Sequence, residues 1–145
     1  MIRLAKASDA PALRALADLC IVSGIPATRE ASHDQVRAYA ADAYQDMEEM
    51  LRQKTFVVLV EEANKEITGY LMLDFAHVEP STGEKQCFIV DLAVHPSKRG
   101  HFATHRLIKK ASALARARGL KYLVGMVSSS NDRTRSSSPR CTMSM

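Results

Sequence analysis

The chain has 145 residues, 46% of them apolar and 25% charged, which suits one soluble globular domain and excludes a disordered, collagenous or coiled-coil chain. Its longest apolar run, Phe56 to Val60, is far short of the roughly 20 residues that span a bilayer, and Met1-Ile2-Arg3-Leu4 opens no signal peptide. The net charge of +4 conceals a division: residues 1–94 carry 9 Lys and Arg against 15 Asp and Glu, whereas residues 95–145 carry 11 against 1.

The expectation is an intracellular, cytoplasmic chain with no membrane partner. The basic second half calls for an anion. With no aromatic-interleaved basic motif and no Trp, nucleic acid is an unlikely partner and a small phosphorylated ligand competes well with it, a solvated basic helix face being the alternative. Cys20, Cys87 and Cys141 show neither a CxxC nor a Cys/His metal spacing, so reduced thiols are expected, with no metal site.

In chain order, Ile2 to Ala5 reads as a short strand. Ser8 or Asp9 can cap a helix whose first turn tolerates Pro11 and whose apolar face is Leu13, Leu16, Ala17 and Cys20. Gly24 and Pro26 end it. A second helix is expected from the cap Ser32 to about Gln53, with Val36, Tyr39, Ala40, Ala43, Tyr44, Met47 and Leu51 on one stripe and acids on the other. The unbroken run from Phe56 to Val60 predicts a strand covered on both faces. A turn at Ala63-Asn64-Lys65 then leads into a strand over Ile67 to Ala76. Gln86 to Val94 is the next strand, stopped by Pro96. A helix follows from about Phe102 to Arg118, ending at the C-cap Gly119, and Tyr122 to Val127 is the last strand. Residues 128–145 include seven serines, so 1–127 is expected as one domain and 128–145 as an irregular tail.

Chemistry concentrates in Val94-His95-Pro96-Ser97-Lys98-Arg99-Gly100-His101-Phe102-Ala103-Thr104. A strand ends, a short basic turn follows and a helix begins, so several backbone N–H groups converge on one spot where phosphate can bind. Arg99 adds a charge of bidentate geometry, and Lys98 a second. An ordinary solvated turn remains the alternative. Among strand carboxylates, Asp91 and Asp74 are candidate bases, because such groups face a cleft or must be paired. His95 and His101 flank the turn and can serve as loop residues or phosphate contacts.

The order strand, helix, helix, hairpin, strand, phosphate turn, helix, strand resembles the GNAT superfamily of N-acetyltransferases over about residues 1–131. Leu92, Val94, Pro96, Arg99, Gly100, Leu107 and Ile108 match that family's motif in register. The resemblance implies an α/β layered fold, with a mixed, mostly antiparallel central sheet and helices on both faces. It also implies acetyl-CoA or coenzyme A as cofactor: Leu92, Ala93 and Val94 would pair with the pantetheine arm, and Arg99, Gly100, His101, Phe102, Ala103 and Thr104 would hold the pyrophosphate.

Phe102 and Thr104 stand where the family carries its second and third glycines, which can narrow the cradle. The family's final hairpin is missing, and Ser138 stands where a Tyr often protonates the leaving thiolate. That role is vacant, taken by Ser138 or water, or unnecessary. The implied activity is direct acetyl transfer to an amine with Asp91 as base, the acceptor being a small molecule or a protein under the loop 23–28. The alternative is a non-catalytic relative that binds a protein target. The apolar strand from Tyr122 to Val127, left without later strands, leads to the expectation of a homodimer.

Overall fold

The computed structural model describes residues 1–21, 32–99, 102–125 and, as backbone, 142–144. Strand β1 (Ile2–Leu4) leads through a 3-10 turn into α1 (Ala10–Cys20), and α2 (His33–Ala43) and α3 (Met47–Arg52) follow. Next come β2 (Phe56–Ala63), β3 (Glu66–Val78) and β4 (Lys85–Val94), then α4 (Ala103–Ala117), β5 (Tyr122–Val124) and β6 (Thr142–Ser144). All six strands join in one sheet in the order β1-β2-β3-β4-β5-β6, antiparallel throughout except for the parallel β4–β5 pair. The expected α/β fold class is the one found.

Alternation along the central strands divides the core in two. Phe56, Val58, Val60, Tyr70 and Met72 pack under α1 and α3 with Leu13, Leu16, Ala17 and Met47. Leu59, Leu71, Leu73 and Cys87 pack under α4 with Leu107, Ile108, Ala111 and Ala115. Burying each such aliphatic side chain contributes about 1.5–3 kcal/mol, so both faces hold the sheet. Cys20 and Cys87 are both buried, and neither forms a disulfide.

Local signals worked as their chemistry requires. Ser32 caps α2 by accepting from the Gln35 amide. Asn64 and Lys65, both at positive φ, make the two-residue turn that matches hairpin twist. Gly119, at φ 77, closes α4 while the Leu120 amide donates to the Ala115 carbonyl. Asp9 precedes α1, but its side chain accepts from the Lys6 amide and from Arg3 instead of capping α1.

Two expectations are corrected. The helix expected over 32–53 is broken at Tyr44-Gln45-Asp46, because Tyr44 leaves helical geometry as the C-cap of α2, and Tyr39 is 77% exposed rather than part of a buried stripe. The tail expected to be irregular supplies β6, whose backbone pairs antiparallel with β5 through Tyr122 and Ser144, Leu123 and Met143, and Val124 and Thr142. The sheet therefore does not stop at β5. Backbone pairing needs no apolar pattern, which is why the Ser-rich sequence hid it. The homodimer rested on an open β5 edge, and over Tyr122–Val124 that edge is paired within the chain. Among the described residues no helix is long and apolar enough to cross a membrane, and no group of acids, histidines and cysteines could hold a metal ion.

Candidate active site at the end of strand β4

β4 carries an extra residue near Val90: Met72 pairs with Asp91, but Leu73 pairs with Ile89. A bulge of this kind bends a strand and re-aims its side chains. On its other side β4 pairs with β5 through Cys87 and Phe88 among the described residues. Gly125 then passes close over Ile89, where an added Cβ would lie 3.2 Å from the Ile89 Cδ1. From Ile89 to Val94 no strand pairs with the outer edge of β4 among the described residues. His95 donates its amide back to the Thr68 carbonyl on β3, so the alternation of the strand turns the Val94 carbonyl outward. That carbonyl accepts from Arg99 Nε at 3.2 Å and from the Cys20 thiol at 3.6 Å.

Asp91 stands in the bend. Its Oδ2 accepts the hydroxyls of Tyr44, from the end of α2, at 2.7 Å and of Tyr70, on β3, at 2.6 Å. Its Oδ1 accepts the Leu92 amide at 2.9 Å. Burial first, then the charge of Asp91, pushes both phenols well above their ordinary range. Burial likewise pushes the Cys20 thiol up, opposed by the neighbouring Arg99. Tyr44 also lines a cavity of about 310 Å³ between α1 and α2, together with Arg14, Ala17, Asp18 and Ala40.

Past the strand, His95 Nδ1 accepts from the Ser97 amide at 3.2 Å and caps the 3-10 turn Pro96–Lys98. Phe102 is the N-cap of α4 at φ 62, the left-handed region that favours glycine, and its side chain is 76% exposed. The ring therefore points to solvent instead of filling the turn. The first main-chain bond of α4 runs from the Arg106 amide to the Phe102 carbonyl, which leaves the amides of Ala103, Thr104 and His105 at the open end of the helix. Ala103 is buried and Thr104 half-buried.

The structure thus brings Asp91, Leu92, Ala93, Val94 and Arg99 to one strand end and places Phe102, Ala103 and Thr104 at the following helix. Gly100, His101, the loop 23–28 and Ser138 lie outside the described residues. Asp74 is not brought to Asp91: it pairs in register with Phe56 and Phe88, and its Oδ1 accepts the Ala76 amide on its own strand. The two tyrosines escaped notice at the level of sequence. Their signal was a Tyr inside the otherwise apolar run Tyr70-Leu71-Met72-Leu73, since a buried phenol needs an acceptor and Asp91 is the one acid of β4.

Solved structures share this fold. The PaiA N-acetyltransferase from Thermoplasma acidophilum, crystallised with coenzyme A, superposes with a TM-score of 0.77 at 14% identity, over 94% of this chain and 84% of that one. An aminoglycoside acetyltransferase from an uncultured soil metagenomic sample, crystallised with sisomicin, gives 0.69 at 16% identity, over 96% and 84%. The ribosomal-protein-alanine N-acetyltransferase from Brucella melitensis biovar Abortus 2308 gives 0.64 at 20% identity, over 93% and 85%. No curated protein matches at the level of sequence. The sequence profile of the Acetyltransferase (GNAT) family matches residues 25–136, more than half of the chain, and the chain belongs to that family.

Proposed function

We propose that this chain transfers an acetyl group from acetyl-CoA to an amine by direct attack within one complex. The observation that carries the reading is the outer edge of β4 from Ile89 to Val94, which no strand among the described residues pairs, ending at the N-terminus of α4 with the Asp91 carboxylate beside it. Such an edge offers peptide groups to an amide-bearing arm, and such a helix end offers N–H groups to phosphate. The residues fit the cofactor. Leu92, Ala93 and Val94 would hold the arm, while Arg99, Gly100, His101, Phe102, Ala103 and Thr104 would hold the pyrophosphate. The ring of Phe102 is exposed.

Bound acetyl-CoA supplies an activated acetyl thioester. The protein contributes position and a place for the amine's proton, which Asp91 provides. The acceptor is a small amine, a reading supported by the cavity at Tyr44 and by the aminoglycoside enzyme among the fold's relatives. Native mass spectrometry with added acetyl-CoA, followed by transfer to an amine panel, tests it. The expected result is a bound mass of one coenzyme A and an acetylated amine. Absence of both would overturn the proposal.

A further inference from the structure

We infer that the proton leaving the acceptor amine reaches Asp91 through the hydroxyl of Tyr44, so that Tyr44 and not Asp91 is the group the amine touches. The inference rests on the reading above, that an amine is acetylated at this cleft. Access is the first argument. The Tyr44 and Tyr70 hydroxyls both donate to Oδ2 of Asp91 and the Leu92 amide to its Oδ1, and Tyr44, but neither Asp91 nor Tyr70, lines the cavity between α1 and α2. Tyr44 uses its one proton on Asp91 and keeps lone-pair capacity on its oxygen.

The second argument is the asymmetry of the two phenols. Both make the same bond to the same oxygen. Tyr70 is 1% exposed and sealed in the core beneath α1, whereas Tyr44 borders the cavity between α1 and α2. Asp18 and Arg14 share that wall, Asp18 lying 4.0 Å from Arg37 of α2, and alanines leave room for a ligand between them.

The step balances as follows. One N–H bond of the acceptor ammonium breaks, its electron pair stays on nitrogen, and the proton bonds to Tyr44 Oη. The proton that Tyr44 already carried passes to Asp91 Oδ2. Tyr44 is neutral before and after, while the ammonium and the carboxylate cancel each other's charge, a change favoured where water is scarce. Because the phenol is pushed above its ordinary range, both protons move together and no phenolate stands between them. Asp91 later returns its proton to water. Among the described residues, the other titratable or charged groups around this relay are Tyr70 on β3, Cys20, Arg14 and Asp18 on α1, Arg37 on α2, which pairs with Asp18, and Arg99 after β4, beside Cys20.

The test compares wild type, Tyr44→Phe and Tyr70→Phe with 1,4-diaminobutane, lysine, sisomicin and an alanine N-terminal peptide as acceptors. Tyr44→Phe should lower kcat about a hundredfold near neutral pH. It should raise the Kd of the accepted amine for the coenzyme A-loaded protein about fivefold by calorimetry, with coenzyme A affinity unchanged. Its rate should return towards wild type near about pH 10, where the amine arrives neutral. Tyr70→Phe should stay within about threefold of wild type, because the path from the cavity is intact. In mixed light and heavy water the wild type alone should show a curved proton inventory, so the test survives a variant that fails to fold.

An unaffected Tyr44→Phe, a loss equal at every pH, a Tyr70→Phe loss as large, or a linear inventory would overturn the relay alone. A wild type inert towards every acceptor would overturn the acetyl-transfer reading and the relay with it.

Discussion

Asp91 and Glu61 are both carboxylates on inner strands of one sheet, and they are held in opposite ways. Glu61 faces α4: its Oε1 accepts Nε and Nη2 of Arg106 at 3.1 and 2.6 Å, while its buried Oε2 has no hydrogen-bond partner. Asp91 faces α1 and α2, and its three donors are all neutral. A charge set against a charge ties β2 to α4, and moving a proton there would strand the guanidinium. Hydroxyls can pass protons without changing their own charge. Thus a buried carboxylate marks a working site through the kind of donor that surrounds it and a path to a cavity, and Glu61, the more deeply buried of the two, has neither.

Arg106→Met should have the largest effect, since it leaves the Glu61 carboxylate, 10% exposed, with the Met1 ammonium, 3.9 Å away, in place of the guanidinium that hydrogen-bonds it. A loss of about 3 kcal/mol in urea unfolding is expected, most of it recovered in the double variant with Glu61→Leu. If Arg106→Met costs nothing, the two carboxylates differ less than their partners suggest.

Arg99→Ala addresses the other side of the comparison, where a guanidinium donates to the Val94 carbonyl at a strand end. Coenzyme A affinity should fall by about 1–3 kcal/mol by calorimetry. An unchanged affinity would move the phosphate site elsewhere.

The alkaline limit of stability separates the two faces further. On the α4 face, burial pushes the Cys87 thiol up to about 12. The folded state holds this proton more tightly than the unfolded state does. Its contribution is therefore complete below the ordinary thiol range and is lost as pH rises from about 9 to about 12. Tyr44 and Tyr70, also raised, act in the same direction. Cys87→Val should flatten the fall in unfolding free energy between about pH 8 and pH 11 relative to wild type, and equal slopes would refute the assignment.

The smallest effect is expected at Phe102, whose left-handed backbone suits glycine. Phe102→Gly should alter stability by no more than about 1 kcal/mol, relief of strain being offset by a freer unfolded chain. Coenzyme A affinity should be equal or improved, and a clear loss would give the exposed ring a binding role.

Much of the fold was legible because its signals are local. The run from Phe56 to Val60 announced a strand covered twice, and Ser32 and Gly119 marked helix ends by their own chemistry. What escaped depends on distant partners. The apolar stripe runs in phase through Tyr44, so periodicity cannot show a break that accompanies the bond from Tyr44 to Asp91, 47 residues away. β6 is held by main-chain pairing to β5, to which side-chain pattern is blind. At the site, residue type and strand position suggested Asp91 and Asp74 alike as bases, with His95 as a loop residue or phosphate contact. Geometry separates them: Asp74 satisfies its own strand, His95 caps a turn, and Asp91 alone among the three binds both phenols.

The central claim is that the proton of an acetylated amine ends on Asp91. The direct measurement is transfer of labelled acetyl from acetyl-CoA by wild type and Asp91→Asn at saturating cofactor, with coenzyme A affinity measured on the same samples. The account predicts a turnover rate about a hundredfold lower in Asp91→Asn, with coenzyme A affinity unchanged. An Asp91→Asn variant that acetylates as fast as wild type would contradict it.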